Sequence, residues 1–392
     1  MKSTLRRLKV MSDRLLGQRP ALCDDLDAWL ATSASGLKLG SIGESAVMTR
    51  KIPRGADSHA RFTEEASFQV HPRVIGRVSG ATIFGAEGMI QLPDQRYLMQ
   101  TVWYPEQLVH HPQYYRRATG SRRVSGTYHA LIQYWSRDYY HWMTETLPIL
   151  HGLGDALPPG TRHIIPGPAA RFQKESLALL GIHAERCVEI GIDESWKVDD
   201  LVITPPATTR FTGSIPQAAG SSSFSLQAPP PFMGPFNHSP EGLRSIAGQM
   251  ITAAQKEWGP QVPASKKIYI TRRAASCRRL NDEDLAPLFA RHGIKVCELE
   301  GMPLAEQIRL FHQADLVVAP HGAGLSNLMF CRPGTRVVEI FEPSVIRLCY
   351  WAISNIASLE YDFIVGEPLG TGRPDPDIRI DPAGLAEIID RI

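Results

Sequence analysis

The sequence predicts an α/β protein whose parallel sheet is covered by helices, and three observations predict it. Between residues 267 and 341, short apolar runs with the length of buried strands alternate with helical stretches. One strand-to-helix passage, Val317-Val318-Ala319-Pro320-His321-Gly322-Ala323-Gly324-Leu325, breaks into a turn with two glycines and a histidine, then becomes apolar again. Upstream, His163-Ile164-Ile165 and Leu201-Val202-Ile203 read as buried strands around a helical stretch near residues 170–180.

Taken in order, the elements differ in texture. Residues 68–134 carry short apolar stretches such as Ala81-Thr82-Ile83-Phe84 and Met89-Ile90-Gln91-Leu92, cut by Gly, Pro and Asp, which suggests hairpins. A strand through Tyr128-His129-Ala130 is followed by residues 138–148, where the apolar spacing turns helical. Residues 205–240, rich in Pro, Gly, Ser and Thr, read as a linker or a mobile functional loop. Beyond it, strands are expected at 267–271, 294–297, 315–319 and 335–341. Helices are expected from the Asn281-Asp282-Glu283-Asp284 start, at 304–312 and at 325–330. The domains expected are an N-terminal extension at 1–67, an α/β domain at 68–235, a Rossmann-like domain at 236–365 and a tail with a helix at 366–392.

Composition narrows the function classes. The chain has 392 residues, 43% of them hydrophobic, enough for two domains with separate cores. With 42 basic against 40 acidic residues the formal net charge is +2, so no field that would gather nucleic acid is expected. Six cysteines without a Cys-x-x-Cys pair read as free thiols, not as a zinc site. With no run of eighteen apolar residues and no secretory pattern at the start, a cytoplasmic protein is expected. Leu5, Leu8, Leu15 and Leu16 among Arg6, Arg7, Lys9 and Arg14 would form a basic amphipathic helix suited to peripheral attachment at the inner face of a membrane.

The glycine turn from His321 to Ser326 joins a strand end to a helix start, where backbone N–H groups and the helix dipole favour an anion. Gly322 and Gly324 would let the backbone approach phosphate oxygens and adopt torsions closed to other residues. Arg272 and Arg273, with Arg278 and Arg279 nearby, follow the first strand and would offer guanidinium forks at the same sheet edge. Glu339 and Glu342 at the last strand could hold ribose hydroxyls, although Glu339 could equally be a buried partner of Arg336 or another base.

These residues carry a resemblance. Thr271-Arg272-Arg273, Arg279-Leu280-Asn281, Glu298-Leu299-Glu300-Gly301-Met302, Glu306-Gln307 and Pro320-His321-Gly322-Ala323-Gly324-Leu325-Ser326-Asn327, up to Val338-Glu339, resemble the C-terminal block of glycosyltransferase family 61. Tyr139-Tyr140-His141-Trp142 with Glu145 and Leu147-Pro148 resembles its second signature. The resemblance implies a GT-B fold, two Rossmann-like domains facing across a cleft. It further implies inverting transfer without a metal or other cofactor, from a nucleotide sugar, here a UDP-sugar, to a glycan or lipid-linked acceptor. Bacterial relatives act in capsule or exopolysaccharide assembly, which is the type expected here. Carried over, Arg272 and the turn of His321, Gly322, Ala323, Gly324, Leu325 and Asn327 would hold the diphosphate, and Glu339 falls at the donor-site acid.

An inverting displacement needs a base to take the acceptor proton. Glu145 is the first choice, and His141, one helical turn before it, would orient that acid or be the base itself; alternatively both residues only pack and pair locally. The leaving diphosphate would be stabilised by the arginines and the helix start. Asp375-Pro376-Asp377 is read as a loop. A metal hydrolase built on His141 and Glu145 lacks a third ligand by spacing, and an esterase with Ser326 as nucleophile lacks Gly-x-Ser-x-Gly. A non-catalytic nucleotide-sugar-binding protein of the same fold is the remaining alternative.

Overall fold

A computed structural model describes residues 21–55, 59–85, 88–101, 122–206, 209–211, 233–258, 266–343, 346–370 and 376–391. The expected amphipathic stretch at 1–17 lies outside the described residues, as does most of the 205–240 loop. The chain forms two compact units, residues 1–44 with 71–207 and residues 45–70 with 208–392.

The second unit holds a five-stranded sheet in the order Lys295–Cys297, Lys267–Ile270, Leu316–Pro320, Arg336–Phe341, Glu360–Val365. Every adjacent pair is parallel. Parallel neighbours need crossover connections, and the helices Asp282–Arg291 and Leu304–Gln313 supply them. Leu316–Pro320 is buried at all five positions, as a strand covered on both faces must be. Glu360–Val365, outside the expected elements, is the fifth strand.

Residues 376–391 belong to this core. Ile378, Ile380, Leu385 and Ile389 pack with Tyr269 and Leu288, and the helix Pro382–Asp390 is capped by Asp381, which accepts from the N–H groups of Ala383 and Gly384. Asp377 starts the strand Asp377–Arg379, paired with Glu367–Leu369, where a loop was expected. Asn281 precedes its helix without capping it. Its side chain instead donates to the Ile380 carbonyl and accepts from the Ile380 N–H, holding the tail.

Residues 45–67, expected in an N-terminal extension, also fall in the second unit. They contribute the hairpin Ala46–Thr49 with Ser67–Val70 and the short helix Arg61–Glu64. Phe62, fully buried, stacks on Phe363 at 4.9 Å and meets Trp351 edge-on at 5.1 Å. Burial of one such ring stabilises by about 1.5–3 kcal/mol.

The first unit contains a ten-stranded mixed sheet. Ser195–Ile203, Arg122–Ala130, Arg162–Gly167 and Cys187–Gly191 are neighbours and run parallel. Gly36–Ile42, Arg73–Ser79, Thr82–Phe84 and Ile90–Gln91 add antiparallel pairings. The sheet therefore departs from a wholly parallel Rossmann-like half. Short turns such as the one between Thr82–Phe84 and Ile90–Gln91 can only return the chain antiparallel.

Among the described residues no helix is long and apolar enough to cross a membrane. None of the six cysteines forms a disulfide among the described residues.

Candidate active site

Strand order locates the first candidate site. From Lys267–Ile270 the chain moves outward to Lys295–Cys297, then crosses back to Leu316–Pro320 on the other side and continues away. The connections leaving Lys267–Ile270 and Leu316–Pro320 thus depart in opposite directions and open a crevice at the strands' carboxyl ends, where such sheets bind ligands. Thr271 and Arg272 leave the first strand at this edge; His321 and Gly322 leave the second.

The glycine turn opens a 3₁₀ helix, Ala323–Phe330. Gly322 has φ 178°, an extended torsion open to any residue, and Gly324 is not in the left-handed region either. Space, not torsion, requires the first glycine. A Cβ on Gly322 would lie 2.1 Å from Nη1 of Arg272 and 3.0 Å from its Cζ, so the guanidinium occupies the space a side chain would need. At Gly324 a Cβ would come within 2.9 Å of a Leu299 methyl, a softer obstacle.

His321 is buried between the rings of Phe341, 5.5 Å away, and Tyr350, 5.0 Å away. Its Nδ1 lies 2.5 Å from Oε1 of Glu339, on the neighbouring strand, and Tyr361 donates its hydroxyl to Oε2 of Glu339 at 2.5 Å. Burial is the main cause that pushes the His321 imidazole well below its ordinary range, with Arg278, Arg347 and Arg272 acting in the same direction. Burial likewise pushes the Glu339 carboxyl well above its ordinary range. Arg336 instead donates to the Ile389 carbonyl. Fully buried with both oxygens engaged, Glu339 stands behind His321 and not at an open edge of the crevice.

The remaining expected binding residues scatter. Arg273 reaches Asp282 at 3.5 Å, beside the Tyr269 and Thr271 hydroxyls that donate to the same carboxylate. Arg279 forms a two-pronged pair with Asp377, at 2.7 and 3.0 Å, which fastens the tail. Asn327 donates to Gln307 and to the Gly324 carbonyl, and Leu325 is core. Glu342 is buried. Arg347, Tyr350 and Tyr361, absent from the expected set, belong to the surroundings of His321, as does Arg278. Tyr361 and Tyr350 lie outside every motif, and only alternation along residues 360–365 hints at the first.

The second candidate site is local. After Trp135, in the left-handed region at φ 58°, one α-turn, Tyr139–His141, runs into a π-helical turn, Trp142–Thr146. Such turns occur often at functional sites. His141 Nδ1 lies 2.7 Å from Oε2 of Glu145, and the Trp135 ring lies 4.9 Å from the imidazole. Trp142, fully buried, donates to Ser176, while Gln173 donates to the Ser136 carbonyl, so the helix Arg171–Leu179 anchors the turn. Glu145 is buried; His141 is partly exposed. Among the described residues, no three His, Cys, Asp or Glu side chains converge as a metal site.

Comparison with known proteins agrees with both stretches. Residues 139–338, just over half of the chain, match the family described as glycosyltransferase 61. A β-1,2-xylosyltransferase of Oryza sativa subsp. japonica is 40% identical over 63 residues, 16% of this chain and 12% of that protein. An EGF domain-specific O-linked N-acetylglucosamine transferase of Drosophila melanogaster is 29% identical over 111 residues, 26% of this chain and 21% of that protein. The matched part thus covers less than a quarter of either relative. With a family match that embraces both the π-turn and the glycine turn, the chain belongs to glycosyltransferase family 61.

Proposed function

We propose that the chain is an inverting, metal-independent transferase of GT-B architecture. It moves a sugar from a UDP-sugar to a hydroxyl of a glycan or lipid-linked acceptor, in the assembly of a capsule or exopolysaccharide. One observation carries the donor site: Arg272 and His321 meet at the switch point of a parallel sheet, with the Arg272 guanidinium pressed on Gly322. The relatives named for xylosyl and N-acetylglucosaminyl transfer support a nucleotide-sugar donor of this general class.

In this reading the diphosphate lies against fixed positive charge, so the negative charge that grows on the leaving group meets donors already in place. Arg272 supplies a guanidinium fork and Arg278 further charge. Glu145 takes the acceptor proton as the hydroxyl attacks the anomeric carbon, and His141 holds the carboxylate in place.

The test is calorimetric titration with UDP, followed by assay of UDP-sugar hydrolysis and transfer, all in EDTA. Saturable binding and turnover in EDTA are expected. A protein that binds no nucleoside diphosphate, or turns over only after a divalent cation is restored, contradicts the proposal.

A further inference from the structure

Three polar groups behind the crevice form a chain with one open end. Tyr361 reaches Oε2 of Glu339, Oε1 of Glu339 reaches Nδ1 of His321, and both contacts measure 2.5 Å. All three residues are buried, and Glu339 has no solvent exposure. A phenol can donate to Oε2, but then the Oε1 to Nδ1 contact has only two solutions. Either the ring donates Nδ1–H to a carboxylate, or a carboxylic acid donates O–H to a bare Nδ1.

Surroundings decide between them. A carboxylate here would be fully buried with no directly bonded cation among the described residues; its two partners are a phenol and an imidazole. The groups that act on the pair from neighbouring elements are Arg272, Arg278 and Arg347 on His321, and Tyr350, Tyr361 and Arg278 on Glu339. Three guanidinium groups oppose a further positive charge on the ring, and on the carboxyl the burial that opposes a negative charge outweighs the Tyr361 hydrogen bond and Arg278, which favour it. A neutral acid beside a neutral imidazole satisfies both conditions. It also completes the chain: Tyr361 O–H to Oε2, Glu339 Oε1–H to Nδ1.

We propose that Tyr361 and Glu339 are positioning residues that fix His321 as its Nε2–H tautomer and aim that N–H at the donor diphosphate. No described residue bonds Nε2. The inference rests on the proposed donor site and goes beyond it, because it assigns the proton on each atom and gives Glu339 a task other than holding ribose.

The tautomer is read directly from the imidazole nitrogen resonances of the free protein labelled in histidine, with His321→Gln to assign them. Nε2–H with bare Nδ1 at neutral pH is expected. An Nδ1–H tautomer or an imidazolium overturns the relay. UDP titration supplies the second arm. Glu339→Gln, whose amide can donate to Nδ1 in place of the acid, should keep UDP affinity within about twofold, whereas Glu339→Leu should lose about tenfold, the scale of one charge-assisted hydrogen bond. Equal losses in both variants, with folding intact by circular dichroism, also overturn it. If the wild-type protein binds no UDP, the donor-site reading fails while the tautomer result stands by itself. If UDP binds and the tautomer is wrong, only the relay falls.

Discussion

Each unit contains a His–Glu pair in hydrogen-bond contact, and the two are built by opposite means. His141 and Glu145 are four residues apart on one irregular turn, at 2.7 Å, with the imidazole partly exposed. His321, just past the end of one strand, and Glu339, on the adjacent parallel strand, are eighteen residues apart in sequence and 2.5 Å apart in the core. A non-glycine residue in the left-handed region stands beside each: Trp135 at φ 58° and Arg278 at φ 55°. Local strain of that kind persists where surrounding structure holds it and concentrates at functional sites. The comparison teaches that a carboxyl whose histidine partner reaches solvent is placed to trade protons with a substrate, while one sealed in a core together with its histidine can only orient its neighbour.

The largest effect that would break the comparison lies in the first unit. Glu145→Gln should lower the rate of sugar transfer by about a hundredfold to ten-thousandfold, the usual share of general acid–base catalysis. UDP affinity should stay within about twofold of wild type. Steady-state kinetics and calorimetry on one preparation check both, and a variant with normal turnover would move the base elsewhere.

Acid sharpens the contrast between buried and accessible histidines. His163 and His129 contact through their Nδ1 atoms at 3.0 Å in the core of the first unit. Burial, with Arg186, lowers His163 to about 4, and burial, with His163, holds His129 well below the ordinary imidazole range. A folded-state pKa that is depressed means the unfolded chain takes up protons first. Stability is therefore full above about 6.5 and falls as pH drops through about 4, by about 3 kcal/mol for His163. His321 adds in the same direction, and Glu339, raised by burial, offsets one of the three protons. Urea midpoints measured from pH about 7 to about 5 should decline, and His163→Gln should flatten that decline.

Arg272→Ala should weaken UDP binding by about 1.5–3 kcal/mol, the scale of a lost charged hydrogen bond. The smallest of the four effects is expected for Gly322→Ala. Its methyl would meet the Arg272 guanidinium at 2.1 Å and displace it, for about a tenfold loss of affinity with the fold retained. Titration of the pair of variants together with their double mutant checks that both act through one contact: the double loss should fall short of the sum of the single losses.

Much of the second unit was legible because its signals are local. The expected strands at 267–271, 294–297, 315–319 and 335–341 differ by a residue or so from Lys267–Ile270, Lys295–Cys297, Leu316–Pro320 and Arg336–Phe341. His141 with Glu145 was legible for the same reason, as residues four apart on one helical face. What escaped was long-range. Nothing near Phe62 announces that it packs on Trp351 and Phe363, nearly three hundred residues later, so residues 45–67 could not be assigned to the second unit. Tyr361 meets Glu339 only because their strands are neighbours. A run of arginines fixes charge but not direction, and Arg279 turned toward Asp377 in the tail while Arg272 turned to the glycine. The π-turn has no sequence signature separate from that of an α-helix, and the reason for Gly322 lies in another segment's side chain.

The central claim is that Arg272 and His321, at the switch point of the second unit's sheet, hold the diphosphate of an activated sugar. A crystal structure of the protein soaked with UDP tests it most directly. The account predicts diphosphate density within hydrogen-bond distance of both the Arg272 guanidinium and His321 Nε2. Density bound elsewhere, or a crevice that stays closed at saturating UDP, would contradict it.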